Sequence, residues 1–113
     1  MSRILIVEPH RDIRELLSIV VLRLGHEPIV HEGPDDGIAD VEAAVVDTDG
    51  AGLLVAQRLR ARRVPSVFTS IFPAERDALD LEPVAYLLKP FPLYALEHAV
   101  TAAVDAARDL APR

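Results

Sequence analysis

Ala43-Ala44-Val45-Val46-Asp47 is an uncharged apolar run that closes on an acid. Nothing in it alternates, which suits a strand buried on both faces, as in a parallel sheet covered by helices. In an open α/β sheet, ligands gather beyond the carboxyl ends of the strands. Asp47 stands at such an end. Two readings are open here: a carboxylate placed for chemistry, or a turn and cap residue, since Asp47-Thr48-Asp49-Gly50 is rich in turn formers.

Upstream, Ile4-Leu5-Ile6-Val7 is a second unbroken apolar run. Pro9 lacks an N–H and ends it at Glu8. Ile13, Leu16, Leu17, Val20 and Leu24 then recur at helical spacing, with Asp12 in the first turn and Gly25 as the stop. Pro28 to His31 reads as an edge strand. Pro34 to Ala39 holds at most a short helix, because Gly37 weakens it. Downstream, Leu53 to Arg60 forms a helix, and Arg60, Arg62 and Arg63 at its end suit the helix dipole. Ser66 to Thr69 is a strand with Ser70 at its mouth. Pro73 to Leu81 leaves room for a short helix. Val84 to Leu88 is a fifth strand that runs into Lys89-Pro90. The last helix spans Leu93 to Leu110, with its stripe at Leu93, Leu96, Val100, Ala103, Val104 and Ala107. Strands and helices alternate throughout, which calls for a doubly wound parallel sheet with right-handed crossovers and helices on both faces.

A length of 113 residues suits a single domain, 1–113, with one core. Half of the residues are hydrophobic but only 4% are aromatic, so that core is aliphatic. Acids outnumber Lys and Arg by 18 to 12, which argues against a nucleic-acid or anionic-membrane surface. With no cysteine, disulfides and thiolate metal sites are excluded. The opening apolar run is too short for a signal sequence or a membrane span, and a cytoplasmic protein is expected.

Parallel strands would bring Glu8, Asp47, Ser70 and Lys89 to one edge. Taken singly, each has a structural explanation as a cap, a turn residue or an ion-pair partner. Together they have the parts that carboxylate phosphorylation needs. Paired carboxylates offer hard oxygens to magnesium (Mg2+), an ammonium offsets charge on a phosphoryl group, and a hydroxyl donates to it. Pro90 directly after a strand suits a cis bond that turns the chain and aims Lys89.

The sequence resembles receiver domains of bacterial two-component response regulators along essentially its whole length. The resemblance rests on Ile4-Leu5-Ile6-Val7-Glu8 with Asp12 to Leu17, the apolar run into Asp47, Gly52 to Arg60, and above all Tyr86-Leu87-Leu88-Lys89-Pro90-Phe91. It implies a three-layer, flavodoxin-like (βα)5 fold of strand order 2-1-3-4-5, here with shortened second and fourth helices. It also implies Asp47 as phosphoacceptor, Lys89 as phosphoryl contact, and Ser70 and Tyr86 as the switch pair. Glu8, Asp47 and Asp49, through its backbone or side chain, would hold magnesium. A histidine kinase or phosphotransfer protein would donate the phosphoryl group. Output would pass to a further protein, and a homodimer could form through the fourth helix, fifth strand and fifth helix. No room is left for a DNA-reading unit, and no dedicated catalytic turnover is expected.

The sequence departs from the family at defined points. Pro9 stands where a second acid, the direct magnesium ligand, is usual, which weakens the metal site. His10 beside it is a poor substitute for a hard oxygen. The loop from Asp47 to Gly52 is short, and Ile71 takes a position that is usually small. A pseudo-receiver, which binds proteins without being phosphorylated, is therefore the alternative.

Overall fold

The computed structural model describes residues 1–31, 38 and 40–110. Its strands are β1 (Arg3–Val7), β2 (Glu27–Val30), β3 (Ala43–Asp47), β4 (Ser66–Ser70) and β5 (Ala85–Leu88). They form one parallel sheet in the order β2-β1-β3-β4-β5. Four helices lie among the described residues: α1 (Arg11–Arg23), α2 (Gly52–Ala61), the single turn α3 (Arg76–Leu79), and α4 (Leu93–Leu110). The expected helix at Pro34 to Ala39 lies outside the described residues. The expected short helix at Pro73 to Leu81 contracts to α3.

The strands read as unbroken apolar runs because both faces of the sheet are covered. Ile4, Ile6, Val45 and Val67 pack with Leu17, Val20, Leu96 and Val100 on the side of α1 and α4. Leu5, Ala44, Val46 and Phe68 pack with Val55, Ala56, Leu59 and Ala78 on the side of α2 and α3. Every residue of β3 is buried, so the hub strand is central in the strict sense. β2 is an edge strand, as Pro28 required.

Two stripes differ from the sequence reading. Leu16 was expected in the core of α1, yet it is 42% exposed. Leu17 follows it a hundred degrees further round the helix, and the buried stripe runs through Leu17, Val20 and Val21, which leaves Leu16 outside it. Val21 fills the place instead, and Leu16 joins Ile19 and Leu22 on the solvent side. At α4, Leu93 is exposed at the first turn, and Ala99 is buried in the stripe.

The ends of the helices follow local chemistry. After α1, Gly25 takes φ +86. Its N–H donates to the Leu22 carbonyl, and the His26 N–H donates to the Val21 carbonyl. This Schellman arrangement uses carbonyls the helix would otherwise leave open. α2 ends the same way, but with Arg63 rather than glycine at φ 58.

Candidate functional site

β1, β3 and β5 end at the same edge, and each delivers one charged group there. Glu8 follows β1, Asp47 closes β3, and Lys89 follows β5. The Lys89 Nζ donates to Glu8 Oε1 at 2.7 Å and to Asp47 Oδ2 at 2.6 Å. The side chain of Glu8 is fully buried, that of Asp47 nearly so, and that of Lys89 is 11% exposed. Burial opposes the ammonium. Hydrogen bonds to Asp47 and Glu8, together with both negative charges, outweigh it and hold the Lys89 pKa above its ordinary value. A buried carboxylate pair is tolerable only with such a counter-ion between its members.

The remaining oxygens are engaged as well. Asp47 Oδ1 accepts the Asp49 N–H at 2.8 Å. Glu8 Oε2 accepts the His10 N–H at 3.1 Å and lies 3.3 Å from His10 Nδ1. Ser70 does not touch this triad. Its hydroxyl donates to Asp49 Oδ1 at 2.7 Å and accepts the Phe72 N–H. Asp49 thus stands between the two groups: its N–H meets Asp47, and its carboxylate meets Ser70. Tyr86 packs against the α2 side of the core, and its hydroxyl donates to the Phe72 carbonyl at 2.9 Å. The Lys89-Pro90 peptide bond is cis.

No model of a protein family matches this sequence. A comparison with curated proteins finds no match. Solved structures do match. One is the signal receiver domain of a modulated diguanylate cyclase from Desulfovibrio desulfuricans G20, 25% identical, with a TM-score of 0.80 over 98% of this chain and 99% of that one. A response regulator from Thermotoga maritima is 16% identical, with a TM-score of 0.77 over 93% of this chain and 98% of that one. A sensor protein from Polaromonas sp. JS666 is 24% identical, with a TM-score of 0.76 over 93% and 97%.

The chain has the two-component receiver-domain fold.

Within this receiver fold, the donor set does not fit a tightly held magnesium ion. That ion prefers several oxygens in near-octahedral array. Here the oxygens of Glu8 and Asp47 already accept hydrogen bonds, and the Asp49 carboxylate is turned to Ser70 and the Ile71 N–H. Pro9 brings no donor. Among the described residues, no group of three acidic or histidine side chains is arranged to hold a metal ion.

The site also contains residues that sequence reasoning passed over. A cleft of about 380 Å³ opens above Asp47, and Arg14, His31 and Arg58 line it with the acids. Helical spacing puts Arg14, one residue after Ile13, at the edge of the apolar stripe but does not show that it faces this cleft. Gly52 is the second omission. A Cβ there would lie 1.6 Å from the Asp47 carbonyl oxygen, so only glycine lets α2 start this close to β3.

Proposed function

We propose that this chain is a phosphorylation-responsive receiver in which Asp47 accepts a phosphoryl group and the signal passes on through protein contacts. The supporting observation is the Lys89 ammonium, held 2.6 Å from Asp47 Oδ2 beside a cleft that Asp47 itself lines. The donor is a phosphohistidine on a histidine kinase or phosphotransfer protein. An Asp47 oxygen attacks phosphorus in line, and the P–N bond breaks. Its electron pair returns to the ring nitrogen, and the imidazole leaves neutral with its proton on the other nitrogen. Lys89 offsets charge on the phosphoryl oxygens as they move toward Asp47. Ser70 then trades its bond to Asp49 for one to a phosphoryl oxygen. That exchange frees Asp49 and the segment from Ile71 to Phe72, where the Tyr86 hydroxyl is attached. Intact-mass measurement after incubation with acetyl phosphate or a cognate kinase tests the proposal. Wild type should gain one phosphoryl group and Asp47→Asn none; equal masses for the two would refute it.

Pro9 and the fully engaged carboxylates favour one second reading, a module that binds proteins without phosphorylation. A magnesium titration followed by NMR separates the two. Saturable shifts at the amides of Glu8, Asp47 and Asp49 would support metal-assisted chemistry at a weak site and count against the module.

For output, the proposed surface is the face of α3, β5 and α4, on or beside which Leu79, Val84, Leu88, Leu93 and Tyr94 are each exposed. Its proposed occupant is a second copy of this chain.

A further inference from the structure

The cleft above Asp47 carries an unusual balance of charge. Its charged and titratable lining groups are Glu8, Arg14, His31, Asp47, Asp49 and Arg58. Glu8 and Asp47 are already neutralised in part by Lys89, which bridges them. Asp49 keeps its negative charge, since the Ser70 hydroxyl that donates to it is neutral. The guanidinium groups of Arg14 and Arg58 are what remains to meet an incoming anion. Arg14 is anchored at the site, since its Nη1 donates to the Glu8 carbonyl oxygen at 3.3 Å. Among the described residues, neither arginine makes an ion pair.

We infer that Arg14 and Arg58 form an oxyanion-binding rim that takes over the charge compensation a divalent ion would give, so that phosphoryl oxygens bind at Asp47 without magnesium. The inference builds on the proposed phosphorylation of Asp47 and on the misfit of the magnesium donor set. Guanidinium forks match the oxygens of a phosphoryl group, are always charged, and lose less hydration than an ammonium. Two of them, Arg14 on α1 and Arg58 on α2, line the same cleft as Asp47. Pro9 removes the acid that would otherwise repel the phosphoryl group in the absence of a metal. The loss of that acid and the presence of the arginines act in the same direction.

Two measurements test this in EDTA. First, acetyl phosphate is added and Asp47 phosphorylation is followed by intact mass. Wild type should react in EDTA within about threefold of its rate in magnesium, and the Arg14→Gln/Arg58→Gln double variant should lose about tenfold or more. Arg14→Lys/Arg58→Lys, which keeps the charge but not the fork, should recover part of that loss and controls for folding damage. A phosphoryl adduct that forms only with magnesium, or a Gln variant as fast as wild type, overturns the inference and leaves the proposed function standing. Second, inorganic phosphate is titrated into Asp47→Ala, in which the acceptor's own charge no longer repels it. The side-chain N–H signals of Arg14 and Arg58 should shift and saturate, and adding both Gln substitutions should weaken binding by about tenfold. No saturable shift overturns the rim. If wild type takes no phosphoryl group under either condition, the proposed function fails, and the phosphate titration alone then decides the rim.

Discussion

Lys89 is the residue on which the site balances. Removing its ammonium leaves two buried carboxylates with no cation between them. Lys89→Met should therefore lower stability by about 3 kcal/mol, read by urea denaturation at neutral pH. The pH dependence follows from the raised Lys89 pKa. Below the ordinary value of 10.5, folded and unfolded chains both keep the proton, and the stabilisation is present in full. Above it, the unfolded chain loses the proton first, so stability falls as pH rises through the folded pKa. Wild type should show this alkaline loss and Lys89→Met should not. Thr69, the register partner of Asp47, makes an opposite case. Its hydroxyl is buried and has no hydrogen-bond partner among the described residues. Thr69→Val keeps the shape and removes the cost, and thermal melts should show a gain of about 1 kcal/mol. Lys89 was legible in the sequence because it follows an apolar run. Thr69 was not, because only the packing around a hydroxyl shows whether anything accepts its proton.

At the scale of the element, the junction of β3 with α2 is the tightest point of the chain. The Asp47 carbonyl lies where a Cβ on residue 52 would be. Gly52→Ala must push the start of α2 away from β3 and displace Asp47. It should cost about 3 kcal/mol in a denaturant titration, at the upper end of overpacking in a well-filled core. The strands and most helix ends could be read from local pattern: Pro9 stops β1 and Gly25 stops α1, whereas nothing in the sequence marked the positive φ of Arg63 after α2. Which member of a neighbouring pair turns inward could not be read this way. Leu16 and Leu17 are chemically alike, and the sheet beneath α1 chose Leu17. The same limit hid Arg14, whose place in the cleft depends on how α1 lies across the end of β1.

For the whole molecule, the crossovers decide function by deciding where strand ends meet. Glu8 and Asp47 are both far from Lys89 in sequence, yet its ammonium contacts the two of them at one edge of the sheet. Leu79, Leu88 and Leu93 are exposed apolar residues of α3, β5 and α4, the proposed output face, and β5 is an edge strand of the sheet. If that face joins two copies, sedimentation equilibrium at several concentrations should show a monomer–dimer exchange, and Leu88→Asp should shift it to monomer. A wild type that stays monomeric throughout, including with acetyl phosphate, would remove the dimer. The sequence by itself determined the alternation of strands and helices, the burial of the hub strand and the charged groups at strand ends. Those follow from local periodicity and from residues that stop an element. Only the tertiary structure decided that Lys89 bridges Glu8 and Asp47, that Asp49 turns to Ser70, and that two arginines line the cleft at Asp47. Those depend on directions in space between segments that no local pattern encodes.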